Sequence, residues 1–344
     1  MKKIILFLLF SLIVPAQKVE TIQFKQNIKD RRGLAKSLTL IDNRTDKEIG
    51  KISGKKGDIE FKLHDGDLKS FIENRFAEDN KVKGNNDIVI MLEELKIYDE
   101  QARNDKFMYS KAKIKISSFL KRNDKYYFIS RYDNVIVSNP ERTANSTSKY
   151  LSDTVSDIIT GFIKVSYSNG VSNHYITEND ITSYNSYLIK NNKSLHQELK
   201  DGVYLNFKSF SDQKPAEGYS VEKNKKGRVV RIKDQDDLVI SLGEVFGYVD
   251  AGIAYRLTPN GFQEMKKNEN GFYIIISRSQ LFAKSTIGPA GLIGAFAGGI
   301  VGAAIGAAID SGSNKGAAEG FGFKSPTMTT VYVDSLTGDF NFQQ

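Results

Sequence analysis

The chain of 344 residues carries 49 Lys and Arg against 41 Asp and Glu, for a net charge of +8, with three histidines and no cysteine. That length suits two domains, each able to bury its own core, and the missing cysteine excludes disulfides, thiolate metal sites and the lipid-modified Cys of a bacterial lipoprotein. The positive charge is spread thinly, without an arginine cluster or a basic patch interleaved with aromatics, so nucleic acid is not expected as a partner.

Residues 1–16 read as a secretory signal peptide: Met1-Lys2-Lys3, an apolar run over 4–14, and Val14 and Ala16 at the positions a signal peptidase recognises. The mature chain is therefore expected in the periplasm or at the outer membrane.

Residues 17–167 are expected to form an α+β domain, an antiparallel sheet with two helices. Strands are predicted over 19–28, 34–41 and 58–63. A helix follows in which Leu68, Phe71, Ile72 and Phe76 share one face, its start capped by Asp65 or Asp67. Three longer strands come next, over 87–98, 107–120 and 126–137. In the middle one Lys111, Lys113 and Lys115 alternate with Ala112, Ile114 and Ile116, which reads as a solvated lysine face opposite a dry one. A second helix, 147–165, would lay Leu151, Val155, Ile158 and Phe162 on the dry face. The run Leu40-Ile41-Asp42-Asn43-Arg44, with Ile49-Gly50 after it, resembles the opening of small α/β domains in Gram-negative envelope lipoproteins. The resemblance implies a scaffold or assembly role without catalysis.

Residues 168–194, rich in Ser, Asn and Tyr, read as a linker. The texture then changes to short strands separated by turns that end in glycine, such as Asp250-Ala251-Gly252, and residues 195–286 are expected to be a mostly β module. Asp201-Gly202-Val203-Tyr204-Leu205-Asn206-Phe207, Val245-Phe246-Gly247-Tyr248 and the later Tyr332-Val333-Asp334-Ser335-Leu336-Thr337-Gly338-Asp339-Phe340 are similar to a module of uncharacterised exported proteins of the Bacteroidetes. That similarity implies no enzymatic activity. It does imply that a hairpin within 310–344 completes the module begun before residue 287.

Between these parts lies an inserted Gly/Ala-rich stretch, residues 287–309, with no charged or polar side chain. Gly294, Gly298, Gly302 and Gly306 recur every fourth residue, so on a helix they form a ridge along which a second backbone can approach closely. This glycine zipper is expected to be a helix or a helical hairpin. As a helix, 289–309 would measure about 31 Å at about 1.5 Å per residue, the thickness of a hydrocarbon core. Each interior glycine disfavours a helix by about 1 kcal/mol relative to alanine, so the ridge needs something packed against it. Arg278 and Lys284 precede the stretch, an arrangement that the positive-inside rule does not favour for a simple anchor of an exported chain.

His64, His174 and His196 have no spacing suited to a metal, no glycine loop ends in Lys-Ser/Thr, and no Gly-x-Ser-x-Gly elbow occurs, so no metal, cofactor or catalytic residue is assigned. Tyr204, Phe207, Tyr248 and Tyr255 read as core aromatics, with ligand stacking as the alternative. The expectation is a non-enzymatic cell-envelope protein that associates with membrane lipid and self-associates through the zipper. The alternative is a soluble periplasmic or secreted module that binds a glycan or peptide, its insert packed on its own fold. Where 332–342 sits relative to the strands before Lys284 separates a straight membrane span from an insertion that turns back.

Overall fold

The computed structural model describes residues 18–63, 67–101, 107–168, 175–281 and 328–341. The signal peptide, His64, Asp65, His174 and the whole glycine zipper lie outside them. Helices and sheets together give an α+β architecture.

The first half opens with β1 (Lys18–Ile22), β2 (Ala35–Asp42), β3 (Lys51–Ile52), β4 (Ile59–Leu63) and helix α1 (Leu68–Asp79). Asp67 caps α1, its carboxylate accepting from the Lys69 N–H at 3.0 Å. Leu68, Ile72 and Phe76 are buried, as their spacing requires, and Phe71 packs its ring 5.5 Å from Phe24. Three long strands follow, β5 (Asn86–Glu100), β6 (Tyr109–Arg122) and β7 (Lys125–Val137), then helix α2 (Ala144–Ser166). The buried side of α2 includes Leu151, Val155, Ile158 and Phe162. These meet Ile88, Ile90, Leu92, Ile114 and Ile116 of the sheet and Ile22, Ile59 and Phe61 of the smaller sheet in one core.

The expected antiparallel sheet is in fact mixed. Its order is β2-β5-β6-β7-β8, and β2 runs parallel to β5. Between those two strands the chain makes β3, β4 and α1, the long crossover that parallel neighbours require. Strand β1 likewise lies parallel to β4 in a separate sheet of order β1-β4-β3. Gly50 ties the two sheets together: its carbonyl accepts from Phe61 at 2.9 Å, and beside it the Ile97 N–H donates to the Ile49 carbonyl at 2.6 Å.

Within the stretch expected as a linker, residues 175–191 pack on this half. Strand β8 (Tyr175–Thr177) pairs with β7, and helix α3 (Tyr184–Asn191) follows a short turn beginning at Ile181. Ile176, Ile181 and Tyr184 are buried against Val89, Met91 and Phe119 on the second face of the sheet. Their spacing is too short for periodicity, which is why the segment reads as irregular in sequence.

The second half begins with α4 (Lys193–His196), β9 (Gly202–Tyr204) and α5 (Phe207–Ser211). Strand β9 stops at Tyr204, and Asn206 caps α5 in a reciprocal box with Ser209. A three-stranded sheet follows, β10 (Ser220–Lys223), β11 (Val229–Lys233) and β12 (Val239–Ile240). Then come β13 (Gly247–Asp250), β14 (Ile253–Thr258), β15 (Gly261–Asn268), β16 (Gly271–Ser277) and α6 (Arg278–Leu281), and beyond the undescribed stretch β17 (Met328–Val333) and β18 (Phe340–Asn341). Together with β9 they form a seven-stranded antiparallel sheet, order β18-β17-β16-β15-β14-β13-β9. The strands before and after the undescribed stretch thus share one sheet: Ser277 of β16 faces Met328 of β17 at the end of their ladder. The chain leaves β16 and returns in β17 at that one end of the ladder.

Gly50 has φ +109°, and a Cβ added there would overlap the Ile97 carbonyl. Gly50→Ala is expected to lower stability by more than about 1 kcal/mol, measured as a reduced urea midpoint at unchanged slope.

Candidate functional site

Strand alternation sends Glu93 of β5, Lys111, Lys113, Lys115 and Ser117 of β6, and Arg131 and Asp133 of β7 to the second face of the first sheet, opposite the helices. The lysines do not form the solvated ladder expected from their spacing. Lys113 pairs with Asp133, the two side chains only 10% and 8% exposed, while Lys115 lies 3.7 Å from Glu93 and Lys111 3.1 Å from Glu100. A second layer built from α3 and the β17–β18 turn covers this face around Arg131, and a carboxylate faces each of the three ammonium groups.

Arg131 is the centre of that layer. Its Nη1 donates to Asp334 Oδ2 at 2.6 Å, Nη2 donates to Asn185 Oδ1, and Nε donates to the Tyr184 hydroxyl at 3.2 Å. The guanidinium also lies 5.0 Å over the Tyr184 ring. Tyr184 passes its own proton towards Glu93 Oε1 at 2.6 Å, and the Asn185 amide donates to Glu93 Oε2 at 2.7 Å. From the second half, Asn341 donates to Asp133 Oδ2 at 2.8 Å. Asp334 divides its carboxylate: Oδ2 takes Arg131, while Oδ1 accepts the N–H groups of Leu336 and Thr337 at 2.9 Å each, closing its own turn. A crevice of about 120 Å³ remains beside Lys115, Asn185, Tyr332 and Asn341, room for a few water molecules.

Burial by itself would raise the Asp334 carboxyl, but the charge and hydrogen bond of Arg131 and the two turn N–H groups hold it below the usual carboxylate range. Burial also disfavours the Arg131 charge, and the neighbouring Asp334, Tyr184 and Glu93 more than restore it. Tyr184 is held protonated, first by burial. These groups neutralise one another, so what the constellation does is lock the C-terminal hairpin to the sheet. A few residues away Asp339 behaves in the opposite sense. Desolvation pushes its carboxyl up to about 7, helped by Asp334 and opposed by a bond from Thr337 and by the Arg256 charge. Arg256, packed 4.2 Å from the Phe246 ring and 5.2 Å from that of Phe340, is drawn down to about 10 by burial.

A larger cleft of about 1060 Å³ opens beside β3, β4 and the distal half of β5, with buried Ile49, Phe61 and Ile97 in its lining. Several of its charged residues pair with one another, Lys51 with Asp58 and Lys62 with Glu60 among them. The Asp42-Asn43-Arg44 motif is one such bracket: Arg44 Nε and Nη2 donate to the two oxygens of Asp42 at 2.9 and 2.8 Å, and Lys47 lies 3.1 Å away. Burial opposes the Asp42 charge, yet these partners draw its carboxyl down to about 2.

Among the described residues no group of three His, Cys, Asp or Glu is placed to hold a metal ion. His196 sits at the exposed end of α4 with Nε2 2.9 Å from the Ile189 carbonyl. Tyr204, Phe207 and Tyr248 are buried, and Tyr255 stacks on Tyr248 at 4.6 Å, so these rings belong to the core and offer no open stacking platform. Sequence reasoning missed the Arg131 network. Two charges flanking Tyr132 in an apolar strand were the available signal, but the partner of Arg131 lies 203 residues away.

Asp334→Ala is expected to cost about 3–5 kcal/mol because it leaves Arg131 buried without its counter-ion, whereas Arg131→Met with Asp334→Leu should cost much less; a urea-unfolding double-mutant cycle measures both. Asp339 supplies the pH test. Its folded-state pKa exceeds its unfolded one, so stability is present below about pH 4 and lost as pH rises towards about 7. Asp339→Asn should raise the melting temperature at pH 8 and leave it nearly unchanged at pH 4. Comparison of the chain with protein-family models, with curated proteins and with solved structures finds no match.

Proposed function

We propose that this is a non-enzymatic cell-envelope protein whose folded body carries the glycine zipper as an insertion at the end of a β-hairpin, and that the insertion brings copies together at a membrane through Gly294, Gly298, Gly302 and Gly306. The observation that carries the reading is the β16–β17 ladder, in which Ser277 opposes Met328. A straight single pass through 287–309 would carry β17 to the far side of a bilayer from β16. The return stretch 310–327 contains Asp310, Lys315, Glu319 and Lys324 and is poorly suited to a second pass. An insertion that enters and leaves on one side fits both constraints.

Lipid contact is assigned to 287–309 because that run holds no charged or polar side chain; among the described residues no helix is long and apolar enough to cross a membrane. The glycine ridge supplies what the modest hydrophobicity of the run does not, a surface for close backbone packing between copies.

Gly298→Leu combined with Gly302→Leu is expected to abolish cross-linked oligomers of the mature protein on anionic phospholipid vesicles. Deletion of 287–309 is expected to move the protein from the vesicle pellet to the supernatant. Oligomers that survive the leucines would remove the ridge as the interface, and a deletion variant that still sediments would remove the insertion as the membrane contact.

A further inference from the structure

Residues 27–34 lead into β2 and residues 80–85 lead into β5. Because those strands run parallel, the two loops lie side by side at the same end of the sheet. Asn80 Oδ1 accepts the Asp30 N–H at 2.7 Å, and the N–H groups of Gly84 and Asn85 donate to the Ala35 and Leu34 carbonyls at 3.0 and 3.1 Å. Only glycine allows that approach, since a Cβ on residue 84 would overlap the Leu34 carbonyl.

The pairing sets Lys29, Arg31 and Arg32 of one loop beside Lys81 and Lys83 of the other, all exposed. Asp30 is the carboxylate within the two loops, and it is buried and fully used: it accepts the N–H groups of Arg32, Leu34 and Ala35 at 2.9, 2.6 and 2.7 Å. Asp79, the last residue of α1, is taken by the Ile28 N–H at 2.8 Å and by Arg75 at 3.3 Å. Glu78, exposed in the last turn of α1, can offset at most one of the cations. Among the described residues no carboxylate pairs with any of the five. The crowding of like charge reaches α2. Burial lowers the Lys164 ammonium below its usual range and the Arg31 charge lowers it further, against the pull of Asp157 and Asp79.

An apolar tip stands among these cations. Val82, between Lys81 and Lys83, is 75% exposed, and Leu34 is 38% exposed. Val82 Cγ1 lies 3.6 Å from the point a Cβ on Gly33 would occupy, so it abuts the first loop between Arg32 and Leu34. Neither loop carries an aromatic residue, which leaves no platform for stacking nucleic-acid bases. Cations around an exposed aliphatic side chain match an anionic lipid surface, where the charges meet headgroup phosphates and the valine enters the acyl boundary.

We infer that residues 29–32 and 81–83 together form a contact surface for a bilayer containing anionic phospholipid. The inference rests on the membrane reading proposed above and adds to it a second contact, built from the folded body. Each basic residue at such a surface strengthens binding roughly fivefold, so five alone give an association constant on the order of 10³ M⁻¹. That is marginal anchoring, which reinforces another contact and does not by itself hold the protein on vesicles at micromolar lipid.

Sedimentation of the mature protein with vesicles at graded lipid concentration tests the surface. Lys81→Gln with Lys83→Gln is expected to weaken binding about 25-fold on vesicles containing about one-third phosphatidylglycerol, and to leave binding to pure phosphatidylcholine unchanged. An unchanged urea midpoint checks the fold. Lys225→Gln with Lys226→Gln, an exposed pair in the β10–β11 turn, controls for net charge and should cost much less. Wild-type affinity in the Lys81/Lys83 variant, or equal losses from the two pairs, overturns the inference. The chain contains no cysteine, so Val82→Cys takes a single environment-sensitive dye, whose emission should shift blue on the anionic vesicles. A dye still in water while the protein is bound would also overturn it, and wild-type binding to polyphosphate with none to vesicles would assign the cluster to a soluble polyanion instead. Release by deletion of 287–309 with none from the lysine pair would keep the zipper as the membrane contact and sink this surface; release from the lysine pair with none from the deletion would do the reverse.

Discussion

A buried ion pair between residues 203 positions apart, Arg131 and Asp334, holds the two halves of this chain to each other. Taking either charge out of water alone would cost several kcal/mol, and the pair is tolerable only because each member is fully engaged. Arg131 spends its donors on Asp334, Asn185 and Tyr184. Asp334 uses its second oxygen to close the turn from which it projects. The hydrogen bonds that shape the β17–β18 turn are therefore the same ones that prepare it to receive the guanidinium, so local and long-range structure support each other at one carboxylate.

The rest of the second face follows from this. Near β8 it is apolar, closed by Ile176, Ile181 and Tyr184; beside Arg131 it is charged, with Lys113 on Asp133 and Lys115 near Glu93. Tyr184 belongs to both regions. Its ring meets Phe119 edge-on at 5.2 Å while its hydroxyl serves Arg131 and Glu93, the division of an aromatic body and a polar tip that buried tyrosines commonly show. The helix-covered face needs no such arrangement, because its strands present Ile88, Ile90, Ile114 and Ile116 to α1 and α2. The sheet is consequently covered on both sides, by helices on one and by residues 175–191 with the β17–β18 turn on the other.

Fixing β17 in this way has a consequence for the zipper. Strand β17 is bonded to β16 along its length and continues into the turn that Arg131 holds. The segment between them therefore starts and ends at neighbouring strands of one ladder.

The sequence by itself determined the elements with enough period to declare themselves: α1 from Leu68, Ile72 and Phe76, α2 from Leu151, Val155, Ile158 and Phe162, the three long strands, and the glycine-ended hairpins of the second sheet. Period and turn chemistry act within a few residues, so they survive without the rest of the fold. Partners did not. The parallel pairing of β2 with β5, the packing of residues 175–191 on the second face, the conversion of a lysine ladder into buried ion pairs, and the meeting of Arg131 with Asp334 are decided by which surfaces the folded chain brings together. No local pattern encodes those distances. A lysine on an alternating strand looks the same in sequence whether water or a carboxylate from elsewhere in the chain will face it, and only tertiary packing, by removing the water, makes the difference.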